Sequence, residues 1–152
     1  MRNAGSIGRA ASASVRVTAS REDVFEFHAD SANLARVLPR GVPLRAIGAS
    51  RLGPGATLRF RFGPFGGHGV VRVWEPPFRF IDEQTFGPFA LWRHEHRFNQ
   101  IGARVWITDI VEFALRPPAR PLERFARPVV QLILREKLRR TKAVLEAPSE
   151  RR

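Results

Sequence analysis

Between Leu44 and Leu115 the chain runs through short segments of alternating polarity, each closed by glycine, proline or asparagine, and this rhythm restricts the fold more than any other feature. The segments are 44–49, 56–62, 68–75, 79–85, 90–98 and 103–115. Side chains on a strand point alternately to two faces, so such segments read as half-buried strands. The breakers between them are Gly53-Pro54-Gly55, the Gly63–Gly67 stretch, Pro76-Pro77, Gly87-Pro88 and Asn99–Gly102. Connections this short cannot carry parallel crossovers, which leaves an antiparallel meander.

Upstream, residues 14–19 alternate as one more strand. Ser20 with Asp23 three residues on then marks the start of a helix, and residues 31–39 read as a second short helix ending before Pro39. After Pro117-Pro118 the period turns helical: Leu122, Phe125, Val129, Ile133 and Leu138 fall near one face, with Leu145 beyond. A helix of about 25 residues at about 1.5 Å each is long enough to cross a sheet. Pro128 is expected to start this helix or to kink it.

At 152 residues the chain is expected to be one domain over 14–147, with a frayed tail at 1–13 and another at 148–152. Its 12 Phe and 3 Trp with no Tyr make the aromatic content mostly apolar filling, and the lack of Cys excludes disulfides, thiolate metal sites and a Cys nucleophile. The polar, glycine-interrupted N-terminus does not read as a signal peptide, and no window approaches the roughly 18 apolar residues of a membrane span. A cytoplasmic location is the expectation. The net charge of +12 is concentrated toward the end, where residues 117–152 hold ten Lys or Arg against four Glu. Nucleic acid is not expected as a partner, because no basic motif interleaved with aromatics occurs. The basic helix could touch anionic lipid through Leu134 and Leu145, although its apolar stripe is expected to face the sheet.

Sorting the strands by parity separates Arg59, Arg61, Arg79, Glu83, Arg93, Glu95, Arg97, Arg104 and Glu112 from an opposite face. That face holds Leu58, Phe60, Phe62, Phe80, Trp92, Phe98, Val105, Ile107, Val111 and Phe113, and with them Asp82, Gln84, His94, His96 and Asp109. Unpaired burial would cost on the order of 1–3 kcal/mol for each of these polar groups, so they must pair with one another, with water or with a ligand. The simplest resolution is a partly hydrated cavity between sheet and helix. Trp106 falls on the outer face with Arg104 and hints at a partner or homodimer surface. The Gly-rich stretch 63–69 lies between two strands and reads as a flexible hairpin or pocket lid, not a phosphate loop.

The segments VFEFHADSANLARVLP, DEQTFGPFALWRHEHRF, TDIVEFAL and LREKLRRTKAVL, in that order, resemble the SRPBCC superfamily of START-like helix-grip proteins, within it the bacterial polyketide cyclase/dehydrase-like ligand-binding branch. The resemblance implies an α+β fold: a curved antiparallel sheet of about seven strands wrapped around a long C-terminal helix, with two short helices after the first strand. It also implies a pocket for an apolar ligand. The expected lining is Leu58, Phe60, Phe62, Phe80, Asp82, Gln84, Trp92, His94, His96, Phe98, Ile107, Asp109 and Val111 from the sheet and Phe125, Val129 and Ile133 from the helix.

The chemistry of the polar cluster stays open at this point. His94 and His96 stand about 6.6 Å apart on one face, a span one ion could bridge. No metal and no cofactor is expected, however, since His28 and His68 lie elsewhere in the chain and no third histidine has a compelling placement. A histidine paired with Asp82 or Asp109 could instead move a proton in an aldol cyclisation or dehydration. Alternatively the cluster orients the polar end of a ligand, or ties strands together. The leading expectation is binding of a small hydrophobic molecule (lipid, polyketide or aromatic metabolite) without catalysis. The alternatives are a cyclase/dehydratase-type enzyme and a surface adaptor acting through the basic helix.

Overall fold

A computed structural model describes residues 8–48 and 50–148. Seven strands, β1 (Arg9–Val17), β2 (Leu44–Ala46), β3 (Thr57–Phe62), β4 (Phe65–Glu75), β5 (Arg79–Phe86), β6 (Phe89–Ile101) and β7 (Arg104–Leu115), form one antiparallel sheet in the order β1-β7-β6-β5-β4-β3-β2. The meander thus runs as expected from β2 to β7, and β1 adds to its far edge. Helix α1 (Arg21–Ala29) starts where the side chain of Ser20 accepts the Asp23 N–H at 3.1 Å, and the short α2 (Leu34–Val37) follows one 3₁₀ turn. The long α3 (Glu123–Leu145) continues through Pro128, which lies inside the helix and does not start it.

β1 begins at Arg9, inside the expected tail; residues 1–7 and 149–152 lie outside the described part of the chain. Small residues explain the difference. Ala11 and Ala13 point inward and are buried, while the intervening serines face out, so the segment alternates too weakly in hydropathy to announce a strand. As an edge strand, β1 leaves backbone groups unpaired on one side, and α3 supplies partners for them. Gln131 bonds both backbone groups of Ser12, Arg127 donates to Ala10 O, Lys142 Nζ donates to Arg16 O at 2.7 Å, and the Glu146 carboxylate accepts the Thr18 N–H at 2.7 Å. These bonds hold the helix along the β1–β7 side of the sheet.

The core lies between α1, α3 and the inner face of the sheet. Phe25 of α1 meets Trp74, Phe80 and Phe98 edge-on, with ring centroids 4.9, 5.8 and 5.8 Å away. Val105, Ile107, Val111 and Phe113 of β7 are fully buried. On the outer face the charges that parity predicted meet each other, with Arg79 bonded to Glu75 at 2.6 Å and to Glu95 at 3.2 Å.

α3 packs one step further round its axis than its most obvious apolar stripe. Leu122, Phe125 and Val129 are more than half exposed, whereas Leu134, Lys137, Leu138 and Thr141 are buried. Two apolar stripes lie side by side on this helix, and the one facing the sheet is interrupted by a lysine and a threonine, so spacing alone favoured the other.

Of the two readings of the stretch 63–69, hairpin or lid, the structure shows the hairpin. Only the turn at Gly63-Pro64 leaves the sheet, and β4 resumes at Phe65. Gly67 lies opposite Phe60 in the β3–β4 register, and a Cβ there would overlap the Phe60 ring; Gly69, also buried, lies opposite Leu58. Glycines at these two inward positions let the large side chains of β3 lie back over β4 and leave volume beneath α3. Gly67→Val is expected to lose about 1–3 kcal/mol in urea denaturation, from overpacking. In the Phe60→Leu background the same change should cost clearly less; equal losses in both backgrounds would show that the ring is not what Gly67 accommodates.

Candidate functional site

Asp82 of β5 lies directly opposite His94 of β6, and His96 directly opposite Asp109 of β7. Three adjacent strands therefore place four polar residues in one patch of the inner face. His96 sits at its centre. Its Nδ1 is 3.0 Å from Asp109 Oδ1 and its Nε2 is 3.1 Å from Asp82 Oδ2, while Phe80 stacks on the ring at 4.3 Å. From α3, the Lys137 ammonium reaches the other Asp109 oxygen at 2.6 Å.

Protonation follows from this geometry. Ionised carboxylates can only accept, so a ring flanked by two of them holds a proton on each nitrogen. Burial opposes a charged ring, yet Asp109 and then Asp82 outweigh it and raise the His96 pKa above its ordinary value. Burial likewise opposes ionisation of Asp109, but Lys137 and the histidines overcome it and hold this carboxyl well below the usual range. Burial opposes ionisation of Asp82 too, but the bond from His96 together with the charges of the histidines and Lys137 lowers this carboxyl. Two carboxylates thus meet the Lys137 ammonium and an imidazole held toward its protonated form.

The other two histidines differ. Burial and the neighbouring His96 cation push the His94 pKa down, and its Nε2 stands 3.5 Å from Asp109 Oδ2 without hydrogen-bond geometry. His28 comes from α1, with its ring 5.8 Å from His96 and 4.9 Å from Phe98. Burial first, then Lys137, lower its pKa to about 3. Its Nδ1 lies 2.8 Å from Val24 O, and a carbonyl only accepts, so the proton is on Nδ1 and Nε2 carries a lone pair. Among the described residues, the Nε2 atoms of His28 and His94 are buried without a hydrogen-bond partner.

These residues form one wall of a cavity of about 230 Å³ between sheet and helices, far above the roughly 10–15 Å³ a single water needs. Leu58, Phe60, Phe62, Phe80, Asp82, Gln84, Trp92, His94, His96 and Ile133 line it as expected. Phe98, Ile107 and Val111 do not: they are fully buried behind it, in the core. Asp109 is equally buried and reaches the cavity only through its partners. Phe125 and Val129 are replaced on the helix side by Val130, Leu134, Lys137 and Thr141. Gln84 is turned to the β5–β6 connection, where its amide donates to Phe89 O at 2.8 Å.

Sequence reasoning missed Lys137 and His28. Lys137 carries a signal, being one of only two lysines and falling between Leu134 and Leu138 on a helical face. His28 lies four residues after Val24 on the buried side of α1, but nothing in the sequence brings that side to His96. Its placement also corrects the expectation that no third histidine stands near the pair.

Two triads could offer ligand atoms to a metal ion, His28 with His96 and Asp109, and Asp82 with His94 and His96, each with those atoms within 4.8 Å of one another. Both depend on His96, whose nitrogens already face carboxylates. An ion would have to displace its protons and sit near the Lys137 ammonium, so the donor set fits a metal poorly.

No family model matches the sequence, and no curated protein does. Solved structures do match in fold. Protein TTHA0849 from Thermus thermophilus superposes with a TM-score of 0.74 at 18% identity over 93% of this chain and 99% of its own. A START superfamily protein from Mycobacterium smegmatis gives 0.64 at 14% identity over 90% and 97%. DynU16, a protein in the dynemicin biosynthetic locus, gives 0.67 at 18% identity over 91% of this chain, which spans about half of DynU16 (47%). The fold is therefore the START-like helix-grip: a seven-stranded antiparallel sheet around a long C-terminal helix.

Removing Lys137 leaves a buried carboxylate with one cation fewer, so Lys137→Met is expected to cost about 3 kcal/mol, measured by urea denaturation, and Asp109→Asn in the same chain should recover part of it. The histidines also set the pH dependence. Below about pH 6.5 the unfolded chain takes up protons that buried His28 and His94 refuse, so stability falls toward acid; above it the His96 contribution is lost as pH rises through its elevated folded value. Thermal melts should therefore peak near neutrality. His28→Phe should flatten the acid limb, and an unchanged limb would rule His28 out as its source.

Proposed function

We propose that the protein binds a small, neutral, largely apolar molecule in the cavity between its sheet and α3, with a hydroxyl or similar donor turned toward His28. The observation that carries this reading is the cavity itself, apolar on most sides and closed on one by the buried His28 Nε2, an acceptor that lacks a donor. An unsatisfied buried acceptor costs about 1–3 kcal/mol, which a ligand hydroxyl would recover. An anionic group there would face the His28 lone pair and two carboxylates, with Lys137 already engaged by Asp109.

Catalysis of a cyclase or dehydratase type is the second reading, and one observation bears on which residue it would use. His96 has no free lone pair, so the base would be His94, which is neutral and lies opposite Asp82 in the strand register. His94→Gln would then abolish turnover of a polyketide-type substrate without lowering the melting temperature.

Trp92 lines the cavity and can report occupancy by its fluorescence. Titration with 1-naphthol should quench it, with naphthalene weaker and 1-naphthoate weaker than 1-naphthol by about tenfold or more, which is about 1.4 kcal/mol. Leu58→Trp, which fills the cavity, should abolish the response. Quenching that Leu58→Trp leaves intact, or no quenching by any of the three, would sink the binding proposal; tighter binding of the carboxylate would sink only the assigned polarity.

A further inference from the structure

We infer that the end of the molecule carrying the start of α3 docks on an anionic lipid surface. In the meander, the β3–β4 and β5–β6 turns and the exit from β7 into α3 all lie at the same end of the sheet. Arg116, just past β7, confirms the proximity by donating to Gly87 O in the β5–β6 turn at 3.0 Å. Six large apolar side chains are exposed here: Phe65 (59%) and Phe86 (65%) beside the two turns, and Leu122 (55%), Phe125 (58%), Val129 (56%) and Leu132 (66%) on and just before α3.

The last four recur at intervals of three and four residues and form one stripe. This stripe is distinct from the packed face of α3, and it replaces Leu134 and Leu145, the residues expected to meet lipid, since Leu134 is buried and Leu145 packs against the core. One position further round, Val130 and Ile133 line the cavity, so the stripe borders the cavity wall.

Charge selects the occupant. Residues 116–135 contain five arginines and a single glutamate. That glutamate, Glu123, is largely buried and accepts the Leu115 N–H at 2.9 Å. Arg124 lies over the Phe125 ring at 4.6 Å, and Arg124 and Arg135 stand roughly a quarter-turn round the helix from the stripe. Arg116 and Arg127 bond backbone carbonyls, and no carboxylate among the described residues pairs with them. Apolar side chains edged by arginines suit a bilayer bearing anionic headgroups, the stripe entering the acyl boundary and the guanidinium groups staying at headgroup level.

The test is co-sedimentation with vesicles of phosphatidylcholine alone and of phosphatidylcholine mixed in equal parts with phosphatidylglycerol. Binding to the mixed vesicles is expected, weakening with added salt, together with little binding to phosphatidylcholine. Phe125→Glu and Leu132→Glu should each weaken it by about tenfold or more, and Phe86→Glu, on a separate element, should weaken it independently. All three positions are exposed, so melting temperatures should stay unchanged. The inference is overturned by absence of binding to the mixed vesicles, or by binding that the three substitutions leave unchanged, which would reduce the attraction to net charge. It is equally overturned if the stripe substitutions instead dissociate a dimer of a protein that never sediments with vesicles, which would give the stripe to a second copy.

Discussion

Asp109 is a carboxylate with no solvent exposure, placed on a central part of β7 among Val105, Ile107, Val111 and Phe113. Such a group survives burial only if its charge is answered, and here one oxygen faces His96 of the sheet while the other faces Lys137 of α3. The contact therefore fixes the height and rotation of the helix over the sheet. Bonds from α3 to the β1 edge set its lateral position, and the helix leans to that side. Toward β2–β4 the space is left open, in part because two inward positions of β4, Gly67 and Gly69, carry no side chain.

The cluster also divides its histidines by role. His96 is held between carboxylates that favour its charged form, so both its nitrogens serve the cluster. His28 and His94 stay neutral and leave ring nitrogens in the cavity wall without partners. Fold likeness to START-like proteins at 14–18% identity carries none of this chemistry. The polarity of the cavity rests on the side chains of this chain alone.

What could be read from the sequence follows the two-residue period of strands. Asp82, His94, His96 and Asp109 each break an otherwise apolar parity, and since a meander sets successive strands side by side, their meeting could be inferred before any coordinates. Strand parity could not separate a cavity wall from the core behind it: Phe98, Ile107 and Val111 share the face of His94 but lie under α1 and α3. Helical periodicity was weaker still. α3 carries two apolar stripes, and Lys137 and Thr141 lowered the apparent hydrophobicity of the packed one. Expected polar residues on strands were found; a buried lysine on a helix and a histidine delivered by α1 depend on tertiary packing that no local period encodes.

The central claim is that a doubly protonated His96, together with the Lys137 ammonium, balances two buried carboxylates while His28 and His94 remain neutral. Nitrogen-15 chemical shifts of the ring atoms at neutral pH measure this directly. The account predicts two protonated nitrogens on His96, a proton on Nδ1 alone for His28, and a neutral ring for His94. A neutral His96 ring, or a charged His28, would contradict it.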